Sequence, residues 1–146
     1  MDEERSQKNL ARMAKVIQMT PFMKHLGMEF VEGAEGYAKL KLHYKDENST
    51  FGQALHGGAI ASLIDTTGAM AAWTTAEIAT PKYFGSTVGV TVNYLSGAIG
   101  EDIFAEGRIL KRGNEIIYTD VRVTNGAGKL LAQGNVTYRI VEKGSE

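Results

Sequence analysis

Positions 57–76 form an unbroken stretch without proline in which Asp65 is the one charged residue. Its length and composition predict a helix over 56–77. Apolar residues lie around most of its circumference, so in a globular fold it must be covered on nearly all sides. Small residues at Ala59, Ala61, Ser62, Gly68, Ala69, Ala71 and Ala72 let neighbouring backbones approach closely. A helix of this kind cannot stand alone, and the rest of the chain has to supply its cover.

The rest of the chain is mostly strand. Ala38, Leu40, Leu42 and Tyr44 alternate with Tyr37, Lys39, Lys41 and His43, the period of a strand with one buried face. Residues 28–34 form the strand before it, with Glu35 and Gly36 in the turn, so the two make a hairpin. Residues 46–53 are polar and aperiodic, and read as a loop. Beyond Pro81, stretches rich in Val, Ile, Tyr and Thr at 86–96, 102–111, 115–125 and 129–141 are punctuated by glycine-bearing turns. The last three are expected to form an antiparallel meander. At the start, Leu10, Met13, Val16 and Ile17 mark one face of an amphipathic helix over 5–20, and Pro21 opens a short second helix that Gly27 stops.

An antiparallel sheet of about six strands curls readily through its twist. A sheet wrapped around one long central helix, with an N-terminal helical cap, is the α+β arrangement this order favours over the cystatin-like and ferredoxin-like alternatives. Residues 1–146 read as one domain, a helical segment over 1–27 and a core over 28–141, since no repeat, low-complexity tract or linker divides them.

Composition removes several classes of function. A net charge of −1 argues against general affinity for a nucleic-acid backbone. Without cysteine there is no disulfide, thiolate metal site or cysteine nucleophile. His25, His43 and His56 include no pair at the close spacing of a helical zinc motif, so no metal is expected. No apolar run reaches the roughly 18 to 20 residues of a membrane-spanning helix. The charged residues after Met1 lead into no signal-like block, so a cytoplasmic protein without a membrane partner is expected.

Asp65 most invites a chemical interpretation. A carboxylate among apolar residues is costly unless it is paired or hydrogen-bonded. It lies either on a solvated stripe of the helix or in a site, as a general base or nucleophile. His56, Gly57 and Gly58 stand at the helix start. They form either a plain turn or a set of unpaired N–H groups able to hold a developing oxyanion. At about 100° and 1.5 Å per residue, His56 and Asp65 are about half a turn out of phase and roughly 13 Å apart along the axis. They cannot meet within one chain. If both serve one active site, a second subunit completes it and the chain is a homodimer.

Leu55-His56-Gly57-Gly58 followed by Leu63-Ile64-Asp65 resembles the signature of hotdog-fold acyl-CoA thioesterases of the PaaI (phenylacetate degradation) type. The likeness spans residues 20–140, through Thr87-Val88, Val92-Asn93-Tyr94-Leu95, Gly100-Glu101-Asp102, Leu110-Lys111-Arg112-Gly113 and 128–134. The resemblance implies a sheet wrapped around a long helix, homodimers that assemble into a homotetramer, and an active site between subunits. Carried over residue by residue, Asp65 would activate water or attack the thioester carbon. The Gly57 and Gly58 amides of the opposite chain would polarise its carbonyl, and His56 would orient the water or the loop. Thr87 stands where relatives place a small hydroxyl residue beside the carboxylate. The chain departs at Thr50, where many relatives carry Asn or Gln; Asn48 is the nearby amide that would replace it.

The same resemblance makes Lys111, Arg112, Gly113 and Asn114, in a basic strand-to-strand turn, candidates for the phosphates or pantetheine of coenzyme A. Tyr94 and Arg139 are further candidates, and a merely solvated turn is the plain alternative. Met13, Met19, Met23 and Met28 are either core fillers or the lining of an acyl pocket. The implied reaction is hydrolysis of a small-to-medium or aromatic acyl-CoA to free acid and coenzyme A. Coenzyme A is then part of the substrate, and no separate cofactor is expected. A non-catalytic acyl-CoA binding module or sensor would use the same pocket. The first 20 residues are too short and insufficiently basic to form the DNA-binding domain such a regulator needs. A hotdog hydratase acting on enoyl-CoA calls for an Asp and His spacing this chain lacks.

Overall fold

The computed structural model describes residues 1–144. In chain order the elements are α1 (Glu3–Met19), α2 (Pro21–Leu26), β1 (Met28–Ala34), β2 (Tyr37–Leu42), α3 (Gly57–Trp73), β3 (Tyr83–Tyr94), β4 (Ile103–Arg112), β5 (Ile116–Asn125) and β6 (Leu130–Glu142). Two 3-10 turns, Asp46–Asn48 and Phe51–Gln53, occupy the loop before α3.

The strands form one antiparallel sheet in the order β1-β2-β4-β5-β6-β3. The β4-β5-β6 meander and the β1-β2 hairpin follow the sequence pattern. The destination of β3 does not: α3 carries the chain from β2 across the sheet to its far edge, where β3 pairs with β6. Leu63 and Ile64 of α3 pack with Leu40, Leu42, Ile103, Ile117, Val121, Val123 and Val136 in one core, all essentially without solvent contact. Each such aliphatic side chain stabilises the fold by about 1.5 to 3 kcal/mol. The helix comes so close to β6 that a Cβ on Gly68 would lie 2.4 Å from Val136 Cβ. Glycine there is a packing requirement.

Capping residues set the helix ends. The Asp2 carboxylate accepts from the Arg5 N–H at 2.9 Å, and Glu3 and Glu4 fill the first turn, where negative charge suits the helix dipole. Helix α3 stops at Trp73, four residues short of the expected end, because Thr74 and Thr75 turn their hydroxyls back onto the carbonyls of Ala71 and Ala72 at 2.6 and 2.7 Å. Asn9 of α1 completes the stop. Its Nδ2 donates to Trp73 O at 2.7 Å and Ala76 O at 2.9 Å, and its Oδ1 accepts from the Ile78 N–H at 2.8 Å. The buried face of α1 is therefore Asn9, Met13 and Ile17, with Leu10 and Val16 at its margin.

One expectation about α3 needs correction. The helix is buried all round only from Thr66 to Trp73; in its first half Gly57, Gly58, Ala61, Ser62 and Asp65 form a stripe that the sheet leaves uncovered. Among the described residues, no helix is long and apolar enough to cross a membrane, and no cluster of three or more His, Asp or Glu residues is placed to hold a metal.

Candidate active site

Strand β3 runs along one margin of the uncovered stripe of α3, touching it at Asp65 and Gly57, and a β-bulge in the strand decides which side chains do so. The pairing of β3 with β6 slips between Thr87 and Gly89, so Val88 is an extra residue. Ahead of the bulge, Gly85 and Thr87 point toward α3: a Cβ on Gly85 would run into Trp73, and Thr87 reaches Asp65. Beyond it the alternation inverts. Val90, Val92 and Tyr94 now point inward, opposite Val136, Gly134 and Ala132 of β6. Strand β3 thereby grips α3 twice, with the Thr87 hydroxyl donating to Asp65 Oδ1 at 2.7 Å and the Tyr94 hydroxyl donating to Gly57 O at 2.7 Å.

Asp65 is partly exposed, and Thr87 is its one hydrogen-bond partner among the described residues. Its other oxygen, Oδ2, has no hydrogen-bond partner among the described residues. The Asp65 charge also reaches inward. The Tyr138 phenol is pushed above its usual range chiefly by burial; donation from the Trp73 indole, at 3.0 Å, offsets part of that rise and the Asp65 charge adds to it.

At the helix start His56 is the N-cap, and its Nδ1 accepts from the Gly58 N–H at 2.7 Å. An acceptor at Nδ1 puts the proton of the neutral ring on Nε2. The His56 carbonyl takes the Ala59 and Ile60 N–H groups at 2.9 and 3.2 Å, and the His56 N–H donates to Asn48 O at 2.7 Å. Of the two glycine amides, Gly58 is thus occupied, while the Gly57 N–H has no acceptor among the described residues.

Neither Thr50 nor Asn48 bonds Asp65. Thr50 is exposed, its hydroxyl 3.4 Å from the carbonyls of Phe51 and Ala54. Asn48 is 2% exposed and donates through Nδ2 to Leu26 O at 2.5 Å, leaving Oδ1 without a partner, so it ties the loop to α2.

The proposed coenzyme A residues divide. Tyr94 lies at the start of α3, where its hydroxyl donates to Gly57 O. Arg112 folds onto its own turn, donating to Gly113 O at 2.6 Å, Asn114 O at 2.9 Å and Thr75 Oγ1 at 3.2 Å. That turn lies beyond the C-terminal end of α3, roughly 24 Å along the helix from Gly57. Lys111 is exposed there. Arg139 of β6 pairs at 3.0 Å with Glu115, the residue just before β5. Of the methionines, Met13 and Met28 are core, Met23 packs against it, and Met19 is 78% exposed.

Three features escaped the sequence: the Val88 bulge, the Tyr94 contact and the Asn9 cap. Gly89 inside a strand pattern is the kind of signal that marks a bulge; nothing local marks the other two.

The thioesterase superfamily model matches residues 52–132. The chain is 36% identical over 119 residues to human acyl-coenzyme A thioesterase 13, covering 80% of this chain and 82% of that protein. Among solved structures, thioesterase superfamily member 2 of zebrafish superposes with a TM-score of 0.76 at 28% identity, covering 90% of this chain and 97% of the other. The PaaI protein of the phenylacetic acid degradation operon of E. coli gives a TM-score of 0.78 over 94% of each chain; at 19% identity it bears on the fold alone.

Proposed function

The chain belongs to the thioesterase superfamily and is a thioester hydrolase of the hotdog fold, a premise from which we propose that it cleaves small-to-medium or aromatic acyl-CoA esters with Asp65 at a site two copies share. The observation that carries this is the state of Asp65: one oxygen is held by Thr87, the other is open, and the residue lies on the uncovered stripe of α3. Through Oδ2 it takes the proton of an attacking water or attacks the thioester carbon itself. As the carbonyl oxygen gains charge, a helix-start amide stabilises it. The tetrahedral carbon then collapses, the C–S bond breaks, and the coenzyme A thiolate leaves to be protonated; where the carboxylate itself attacked, water then hydrolyses the mixed anhydride, releasing the acid and restoring Asp65.

The amide comes from the second copy. Gly57 and Asp65 of one chain are about 12 Å apart along α3, too far for both to touch one thioester. The β3 edge supports the pairing. It carries no charged residue and no proline over Tyr83–Tyr94, and it leaves Phe84 57% and Val88 60% exposed. A long, uncharged, apolar edge strand of this sort is a template for another strand, and the small residues Gly57, Gly58, Ala61 and Ser62 beside it admit a close neighbour.

The test is purified protein against a panel of acyl-CoA esters with free thiol as readout, beside the Asp65→Asn variant. The expected result is turnover by the parent and a loss of at least about a hundredfold in the variant. Equal rates would remove Asp65 from the chemistry. Tight binding of the esters without turnover would instead make the protein an acyl-CoA sensor.

A further inference from the structure

The peptide that joins Gly57 to Gly58 is held at both of its polar ends by side chains. Its carbonyl oxygen accepts from the Tyr94 hydroxyl at 2.7 Å, and its N–H donates to His56 Nδ1 at 2.7 Å. Each glycine answers to one of these side chains. A Cβ on Gly57 would meet the Tyr94 ring at 3.3 Å, and a Cβ on Gly58 would stand 2.9 Å from His56 Nδ1. The preceding peptide is tied as well, because the His56 carbonyl is taken by the Ala59 and Ile60 N–H groups. Across these two peptides, the Gly57 N–H is the one polar group without a partner among the described residues.

We infer that His56 and Tyr94 are positioning residues: together they clamp the Gly57–Gly58 peptide and leave the Gly57 amide as the single backbone donor to the thioester carbonyl. Two adjacent glycines have the widest choice of backbone angles of any dipeptide. A donor that stabilises a developing oxyanion has to be aimed before the charge appears. The clamp removes that freedom without placing a side chain in the substrate's path. It also gives the Val88 bulge a purpose, since without the inversion Thr87 and Tyr94 would point to opposite faces of β3. His56 acts here as an acceptor through Nδ1 and Tyr94 as a donor to backbone, so neither needs to touch substrate.

The inference rests on the thioesterase reading above, and its test separates the two. Tyr94→Phe, His56→Ala and His56→Asn are measured for kcat and KM on the CoA ester the parent cleaves best, and for exchange of the Gly58 amide by NMR. Asparagine keeps a side-chain acceptor at the N-cap. Tyr94→Phe and His56→Ala are expected to lower kcat about tenfold with KM within about twofold. Gly58 exchange should quicken in both, and His56→Asn should recover most of both losses. The inference is overturned if Tyr94→Phe changes KM alone, if His56→Asn is as impaired as His56→Ala, or if Gly58 exchange is unmoved. Should the parent cleave no CoA ester, the thioesterase reading fails, and the exchange data still decide whether the clamp exists.

Discussion

The hydroxyl of Thr87 donates to Asp65 Oδ1 at 2.7 Å, joining the edge strand of the sheet to its central helix at the one charged residue of that helix's apolar stretch. The bond holds one carboxylate oxygen and so aims the other. A hydrogen bond to a charged group contributes about 1.5 to 3 kcal/mol.

Thr87→Val keeps the shape of the side chain and removes the donor. We expect kcat to fall about tenfold or more, while Thr87→Ser stays within a few-fold of the parent. Steady-state kinetics on a cleaved acyl-CoA checks this, and a valine variant as active as the parent would show that Asp65 needs no such support.

Asn9 is 2% exposed and makes three hydrogen bonds to the backbone at and just beyond the end of α3, to Trp73, Ala76 and Ile78. Replacement by leucine strands these groups in the interior, at an expected cost of about 2 to 4 kcal/mol. Urea denaturation followed by tryptophan fluorescence measures it. A change under about 0.5 kcal/mol would mean that water replaces the side chain.

Gly68→Ala should be destabilising, because the new methyl would stand 2.4 Å from Val136 Cβ. Overpacking of this kind costs about 1 to 3 kcal/mol. Val136→Ala alone loses core contacts, yet in combination with Gly68→Ala it should restore part of the stability. A double-mutant cycle with no coupling would place the close approach elsewhere.

The Tyr37 phenol is pushed up to about 12, first by burial, then by its hydrogen bond to Glu32 and the charge of Glu106, with Arg108 opposing. A folded pKa above the unfolded value of 10.0 favours the protonated form in the native state. Its stabilising contribution is therefore complete below pH 10 and is lost as pH rises through the interval to about 12. Denaturation midpoints across that interval should decline less steeply in Tyr37→Phe. Identical slopes would remove Tyr37 as a source of alkaline sensitivity.

Much of the fold was legible because periodicity is local. The alternation through Ala38, Leu40 and Leu42 identifies β2 and its buried face, and the glycine turns separate β4, β5 and β6. Helix α3 was legible from its length and its proline-free, nearly uncharged composition, but its end was not, since an asparagine from α1, more than sixty residues away, helps to cap it. The site divides in the same way. Asp65 and the His56-Gly57-Gly58 run stand out as a lone charge and a helix start, and the likeness to hotdog thioesterases implies a hydroxyl at Thr87 beside Asp65, where the fold has it. The resemblance made Arg112 and Arg139 coenzyme A candidates, and in the fold they are engaged, with their own turn and with Glu115.

By itself the sequence determined that a long, nearly uncharged helix must be wrapped by strands, because burial of its apolar surface is the dominant favourable term in folding and depends only on which residues are present. Which strand lies beside Asp65, which residues share its face, and which helix-start amide stays free were decided by tertiary structure. A single extra residue at Val88 inverts the alternation of β3, and a hydrogen bond forms only where two groups arrive within about 3 Å in the right orientation.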